Sequence, residues 1–366
     1  MSNRANVEPY RFGVVGAGWR TDFFLRIAAA LPGRLRLLGV VARNPERRAA
    51  VEREWDLPAF GGVEALLDAA SPEFLVSSVA YGANFEVNMA LLGAGVPLLC
   101  ETPPAAGAAE MLRLWEAVRE RGARVQVAEQ FHRQPHHAAR IEAVLRGRIG
   151  TPHKAYVSLC HGYHGTSLVR HYLGLTFEPA RIVGMAWEDR VLDPGDRSGP
   201  PAEPRVKAHA QQIALLDFGE GRSAVFDFSP VQYFSALRRQ RVTVRGELGE
   251  IVDQTLWAAA PGGEATALEF RRYQAGPEGN LEGMHLKGIQ LGAEWVYHTP
   301  TAPARLSDEE IAIADMLLGM GEYVRGGREV YPLAHALQDH HLALCIRRAC
   351  ESGEPVEAAL QPWAEA

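Results

Sequence analysis

A glycine turn near residue 16, set between a short apolar run and a helical pattern, constrains this chain more than any other feature. Phe12 to Val15 is apolar and Gly16-Ala17-Gly18 follows. Phe23, Phe24, Ile27, Ala28 and Leu31 then recur at helical spacing up to Pro32-Gly33. That order predicts a strand, a tight turn and a helix. Two glycines let the backbone turn sharply and approach an anion, and the helix N-terminus aims its amides at the same place. Thr21 replaces the third glycine of the usual fingerprint. A bare G-x-G is a weak signal, but its place between a first strand and a first helix supplies the missing context. The turn therefore predicts a Rossmann-type unit that grips a nicotinamide dinucleotide through Gly16 and Gly18. Arg20 stands within reach of the pyrophosphate, and Trp19 is either a contact or packing.

The alternation continues. Leu35 to Ala42 predicts a second strand, and Pro45 opens a charged helix. Phe74 to Val79, Pro97 to Cys100 and Arg124 to Val127 predict further strands, with helices over Asn84 to Ala94 and Ala106 to Arg121. This rhythm predicts an α/β Rossmann domain over residues 1–130, a doubly wound parallel sheet with right-handed crossovers. Beyond it the pattern changes. Helices are predicted at Pro135 to Leu145 and near Thr166 to Leu173, with a strand near His153 to Leu159. A strand-rich stretch runs from Ile182 to Tyr273, interrupted by a Pro-, Gly- and charge-rich loop at Asp193 to Pro204. Long helices close the chain near Ser307 to Val324 and Leu333 to Glu351. Residues 131–366 are thus expected to form an α+β domain with a large, mostly antiparallel, open-faced sheet. Two domains are the ordinary expectation for 366 residues.

Composition removes several function classes. The formal net charge is −6 and no basic tract stands out, which disfavours a nucleic-acid partner. No apolar run approaches the roughly 18 residues that span a bilayer. The polar lead-in from Met1 to Arg11 is unlike a signal peptide. Cys100, Cys160, Cys345 and Cys350 form no CxxC pair, as expected of reduced thiols in the cytoplasm.

The second strand ends Val40-Val41-Ala42-Arg43-Asn44. An NAD-specific site usually carries Asp or Glu there to bind the ribose diol. Arg43, with Asn44 beside it, offers donors suited to a 2′-phosphate, so NADP is preferred over NAD. Arg47 and Arg48 read as a solvated helix face.

Four further segments follow in order: Gly95-Val96-Pro97-Leu98-Leu99-Cys100-Glu101-Thr102-Pro103; Glu129-Gln130-Phe131-His132-Arg133-Gln134-Pro135; His164-x-x-Ser167-Leu168-x-Arg170; and Tyr331-Pro332-Leu333 through Gly353-Glu354-Pro355-Val356. With the glycine turn, their order and spacing resemble the glucose–fructose oxidoreductase and inositol dehydrogenase family, the Gfo/Idh/MocA group. The resemblance covers nearly the whole chain. It implies an NAD(P)-dependent oxidoreductase that moves a hydride between nicotinamide and a carbinol or carbonyl carbon of a sugar, polyol or related small molecule. It also implies a homodimer or homotetramer formed through the second-domain sheet.

The match is partial. Glu101 and Pro103 stand as in the family's Glu-Lys-Pro segment, but Thr102 replaces the Lys. Cys160 stands where the family has an Asp four residues before its His, and Ser167 where many members have a further Asp. The His is kept as His164, which titrates in the useful range and becomes the acid/base, with Tyr163 and Thr102 in support. By the same resemblance, Ser78 contacts phosphate or ribose, and Tyr81 and Asn84 border the cofactor cleft. Glu101 is a cofactor contact, and Glu129 and Gln130 enter the second domain at the cleft floor, Gln130 either on the nicotinamide amide or as a polar hinge residue. His161 is a substrate contact or a filler at a strand end. Arg170 binds an anionic substrate group or forms a salt bridge within its domain. No metal is expected, since His161 and His164 lack a third ligand. His136-His137 and His340-His341 are assigned to surface or packing roles. The lost Lys and Asp keep two alternatives open: a non-redox dinucleotide-binding sensor or structural protein, and a glycoside-processing enzyme that recycles its NAD internally.

Overall fold

The computed structural model describes residues 8–260, 262–276, 280 and 284–365; the first seven residues of the polar lead-in lie outside the described residues. Two compact units emerge. The first is Met1–Pro135, Tyr273–Lys287 and Thr299–Leu337; the second is His136–Arg272, Gly288–His298 and Gln338–Ala366.

In the first unit, β1 (Tyr10–Val15), β2 (Leu35–Val41), β3 (Ala59–Phe60), β4 (Phe74–Ser77), β5 (Leu98–Cys100) and β6 (Val125–Val127) form one parallel sheet. The strand order is β3-β2-β1-β4-β5-β6. Helices α1 (Thr21–Ala30), α2 (Pro45–Trp55), α3 (Val63–Ala69), α4 (Asn84–Leu92) and α5 (Ala108–Arg121) make the crossovers. This is the expected doubly wound Rossmann fold. Its strands are apolar without alternation because both faces are covered: Phe12 and Val14 of β1 and Leu75 and Val76 of β4 are fully buried, and Phe12 stacks on Phe74. The direction of winding reverses between β1 and β4, which opens a crevice at their C-terminal ends.

Helix α8 (Asp308–Val324) belongs to this same unit. Ser307 starts it with a capping box to Glu310. Its Ile313, Leu317 and Met320 join one core with Phe12, Phe24 and Ile27. Gly321 lets the helix press on β1, since a Cβ there would fall 2.2 Å from the Tyr10 ring. Residues 131–366 are therefore not one continuous domain. Burial of an apolar helix face, rather than chain order, assigns α8 to the Rossmann core.

The remaining elements are α6 (Pro135–Leu145), β7 (Pro152–Ser158), α7 (Gly162–Leu173), β8 (Ala180–Leu192), β9 (Val206–Asp217), β10 (Ser223–Phe228), β11 (Arg241–Gly246), β12 (Gly249–Val252), β13 (Thr255–Ala259), β14 (Ala265–Ala275), β15 (His285–Leu291), β16 (Glu294–His298), α9 (Leu333–Ser352) and β17 (Val356–Ala358). The strands form an eleven-stranded sheet in the order β16-β15-β14-β13-β12-β11-β7-β10-β9-β8-β17. It is mostly antiparallel; β7 and β10 pair in parallel. One face is buried by Val157, Ile182, Leu216 and Phe226. The other is open and apolar: Val183 lies opposite Leu215 and Met185 opposite Ile213, with Met185 65% exposed. The segment from Asp193 to Pro204 is a loop.

Helix α7 begins at Gly162, four residues before the expected start. Gly162 and Gly165 weaken the helical signal, yet Gly165 is what lets the helix seat on the sheet: a Cβ there would fall 2.6 Å from the Phe226 ring. His161 becomes the N-cap residue, and Tyr163 and His164 occupy the first turn. All four cysteines are buried free thiols. Among the described residues no helix is long and apolar enough to cross a membrane.

Candidate functional site

A cleft of about 770 Å³ opens at the β1/β4 crevice of the first unit. Gly16, Gly18, Trp19 and Arg20 line one side, Arg43, Asn44 and Arg47 a second, and Ser78 a third. The two glycines do different work. Gly16 has φ +121°, and a Cβ there would fall 1.9 Å from the Ser78 carbonyl oxygen, so glycine is required by the protein's own backbone. Gly18 would carry a Cβ with nothing within 4 Å. No packing demand explains glycine at that position; bare backbone facing the cleft suits the close approach of a pyrophosphate. Arg20, the N-cap residue of α1, makes no side-chain cap, so no side chain competes for the amides at that end. Thr21, at the third glycine position, is buried. Its hydroxyl donates to the Gly16 carbonyl at 3.1 Å and lies 3.3 Å from Ser78 Oγ, tying the turn to the end of β4.

At the end of β2 the Asn44 side chain accepts from the Glu46 and Arg47 amides and starts α2. Arg47 is exposed, as a solvated helix face requires, yet its side chain is engaged. Its guanidinium donates through Nε and Nη2 to the Ala17 carbonyl at 3.1 and 2.8 Å, bracing the glycine turn from the cleft side. Arg48 likewise turns inward, donating to the Ala42 and Arg43 carbonyls at 2.8 and 2.9 Å. Carbonyls at strand ends lack ladder partners, and each arginine satisfies one or more of them. Arg43 itself is exposed at the cleft and has no side-chain partner among the described residues.

Arg20 takes a different direction from the one expected. Its Nη1 pairs with Glu309 at 2.9 Å, its Nε lies 3.5 Å from Glu101, and its guanidinium stacks 4.6 Å over Trp19. Two nearby carboxylates draw the cation away from a purely phosphate-facing pose. Gln130 also points to Glu309, donating at 2.9 Å, and Gln134 donates to the same carboxylate at 2.7 Å. The Gln130 Oε1 is buried without a hydrogen-bond partner among the described residues. Burial raises Glu101, against the lowering pull of Arg20, and raises Glu129 well above the usual carboxylate range.

Tyr81, Asn84 and Thr102 do not line the cleft. The Tyr81 hydroxyl donates to the Ala106 carbonyl at 3.3 Å. Asn84 is buried and donates to the Pro103 carbonyl, while Asn88 donates to that of Pro104, so both hold the loop that carries Glu101 and Thr102. A loop rich in proline leaves carbonyls without ladder partners, and these amides take that load.

The second unit gathers a separate cluster around the start of α7. The ring of Tyr163 lies 4.4 Å from that of His164 and 4.7 Å from that of His161, and the two histidine rings are 5.0 Å apart. His164 is buried. His340, assigned by its sequence to a surface or packing role, is buried here with its ring 5.8 Å from Tyr163. Tyr233, which carries no sequence signal, meets His161 through its hydroxyl. Among the described residues no group of three metal-ligating side chains is assembled.

Arg170 is not at this cluster's open side. It is buried, pairs with the buried Asp339 and donates through Nε to the Thr176 carbonyl at 2.8 Å. The salt-bridge alternative is thus the one realised. Glu309, His340 and Tyr233 lie 179, 177 and 72 residues from the partners named here, Gln130, Tyr163 and His161. No local pattern pairs residues over such distances.

Residues 10–129 match the model of an oxidoreductase family with an NAD-binding Rossmann fold, GFO_IDH_MocA. The trans-1,2-dihydrobenzene-1,2-diol dehydrogenase of Mus musculus is 26% identical over 142 residues, which cover 38% of this chain and 43% of the mouse protein. The match therefore spans less than half of that relative. An oxidoreductase from Agrobacterium radiobacter, solved with NAD+, L-tartaric acid and magnesium, superposes with a TM-score of 0.70 at 15% identity over 96% of this chain and 99% of that one. The WlbA dehydrogenase from Bordetella pertussis, solved with NADH and UDP-GlcNAcA, does so at 0.64 and 17% over 96% and 100%. At such identities the likeness is one of fold.

Proposed function

We propose, for this member of the Gfo/Idh/MocA oxidoreductase family by its residues 10–129, that it moves a hydride between a nicotinamide dinucleotide and a carbinol or carbonyl carbon of a sugar, polyol or related small molecule. The observation that carries the reading is the bare Gly18 backbone beside the uncapped start of α1, in a cleft rimmed by arginines. When bound, the nicotinamide supplies or accepts the hydride. Gly16 and Gly18 shape the pyrophosphate cradle, Arg47 braces it, and Ser78 borders it. His164 moves the proton that accompanies hydride transfer, with Tyr163 against its ring and Thr102 as a hydrogen-bonding group. His161 stands on the substrate side. The same reading places the chain in the cytoplasm, in keeping with its free thiols. It assembles two or four copies through the open apolar face around Val183, Met185 and Leu215.

NADP is the preferred cofactor, supported by the uncommitted Arg43 and the nearby Arg47. A charge-assisted contact to a phosphate contributes about 1.5–3 kcal/mol. Arg43→Ala should thus weaken NADP by roughly ten- to a hundredfold and leave NAD within a factor of two, as read by cofactor fluorescence titration. Equal losses for both cofactors would refute the phosphate role.

Replacing His164 by Ala should lower turnover by about a hundredfold or more, the usual scale of a positioned acid/base, on whichever polyol or ketose a screened panel shows to be a substrate. Unchanged kcat in His164→Ala would remove the assignment. A second reading has support in the structure. Thr102 cannot supply the charge of the family's Lys, and the Cys160 thiol is fully buried where an Asp would orient the His. If NADPH binds and no polyol or ketose changes its absorbance, the chain is a dinucleotide-binding sensor instead.

A further inference from the structure

The histidine cluster contains a hydrogen-bonded pair that the proposed mechanism leaves unused. His161 Nδ1 lies 2.5 Å from the Tyr233 hydroxyl oxygen, which also accepts from the backbone N–H of His161 at 3.1 Å. Tyr233 ends a short turn, Pro230–Tyr233, whose start is locked by a capping box between Ser229 and Gln232. Gln232 in turn donates to the carbonyl and hydroxyl of Ser158 at the end of β7. Phe228 packs edge-on against the Tyr233 ring, with centroids 5.5 Å apart. The phenol is thereby fixed from two sides, the arrangement that gives a supporting residue its precision.

We propose that Tyr233 is a positioning residue whose hydroxyl donates to His161 Nδ1, so that the imidazole keeps its proton on Nε2 and presents that N–H to an oxygen of the substrate. This rests on the reading of the cluster as the substrate side of an oxidoreductase. The phenol oxygen already accepts the backbone N–H; donating its own proton to Nδ1 makes the two ring nitrogens unequal. Burial, with His164 and His340 adding like charge, pushes His161 down to about 3, so its ring is neutral across the physiological range. Tyr163 and Tyr233 are the other titratable groups packed against the ring. Among the described residues His161 Nε2 has no protein hydrogen-bond partner, and the residue is partly exposed. A fixed, neutral, open N–H donor suits a carbonyl or hydroxyl oxygen that gains negative charge as a hydride arrives or leaves. The ligand class is therefore a carbonyl or alcohol with its reacting oxygen toward α7, rather than a carboxylate or phosphate, which would call for a cation.

The test is nitrogen-15 spectroscopy of the full chain labelled at histidine, with the His161 signals assigned by their loss in His161→Gln. The expected result is a single tautomer with Nε2 protonated and Nδ1 bare. In Tyr233→Phe, which removes only the hydroxyl, that preference should collapse to a mixture. Protonation on Nδ1 in the parent protein, or an unchanged tautomer in Tyr233→Phe, overturns the proposal. In turnover, Tyr233→Phe should lower kcat by roughly ten- to a hundredfold while KM moves less than threefold, as for loss of an oriented donor. His161→Gln, which retains an N–H donor, should recover more activity than His161→Phe; equal activities would remove the oxygen-donor role. A fixed tautomer in a protein that turns over no carbonyl or alcohol overturns the oxidoreductase reading while leaving the Tyr233–His161 pairing supported.

Discussion

Asp339→Ala should destabilise the second unit by about 3–5 kcal/mol, the range measured when one partner of a buried ion pair is removed. Arg170 and Asp339 are both buried and paired, and the arginine also donates to the Thr176 carbonyl. Deleting the carboxylate removes this counter-charge from a buried guanidinium, so the loss exceeds the worth of the contact itself. At roughly 2–4 °C per kcal/mol for a domain of this size, the unfolding transition should fall by about 6–20 °C in calorimetry. The double replacement Arg170→Met with Asp339→Leu should recover most of that loss, because apolar groups of similar volume carry no desolvation penalty. A drop of less than about 1 kcal/mol for Asp339→Ala would mean that Arg170 finds water or another carboxylate, and would return it to the list of anion receptors. The pair joins α7 to α9. The helix that carries His164 is thereby held at its far end by a contact that takes no part in chemistry.

The glycine turn predicts two opposite outcomes from one kind of substitution. Gly16→Ala forces a side chain into φ +121° and pushes its Cβ onto the Ser78 carbonyl. Backbone strain of roughly 1–3 kcal/mol and an overpacking cost of similar size both apply. The variant should lose about 3 kcal/mol or more of stability and bind dinucleotide poorly. Gly18→Ala meets nothing in the protein, so its thermal transition should stay within about 0.5 kcal/mol of the parent. Its dinucleotide affinity should nonetheless fall at least about tenfold if, as proposed, the pyrophosphate lies against Gly18, because the new methyl group would enter that space. Calorimetry and cofactor fluorescence, read together, separate the two. Parent-like affinity in Gly18→Ala would sink the claim that the cleft holds a diphosphate.

Much of the first unit was legible before folding. The strand, turn and helix around Gly16, the Pro45 helix start and the stop at Gly122 all follow from local rules, and the structure places β1, α1, α2 and α5 accordingly. The short β3 and α3 were not visible, since two strand residues and seven helical ones give too little periodicity. In the second unit the long strands β8, β9 and β10 declared themselves by alternation, whereas β13, β15 and β16 did not. The site divided along the same line. Gly16, Gly18 and Arg43 stand at the cleft where their neighbours in sequence put them. Arg20, Gln130 and Arg170 each found an acidic partner from a distant segment, Glu309 or Asp339, which for Arg170 selects the salt bridge between its two expected roles.

Local sequence determined where the backbone turns, where helices start, and which residue types stand at the mouth of a parallel sheet. Those are properties of dihedral preference and short-range periodicity, and a few adjacent residues suffice to set them. Tertiary structure decided which charges neutralise one another, which histidines share a cluster, and that α8 closes the first core rather than the second. Burial turns polar side chains toward whatever partner lies within a few ångströms in space, and that partner is set by packing, to which separation along the chain is no guide.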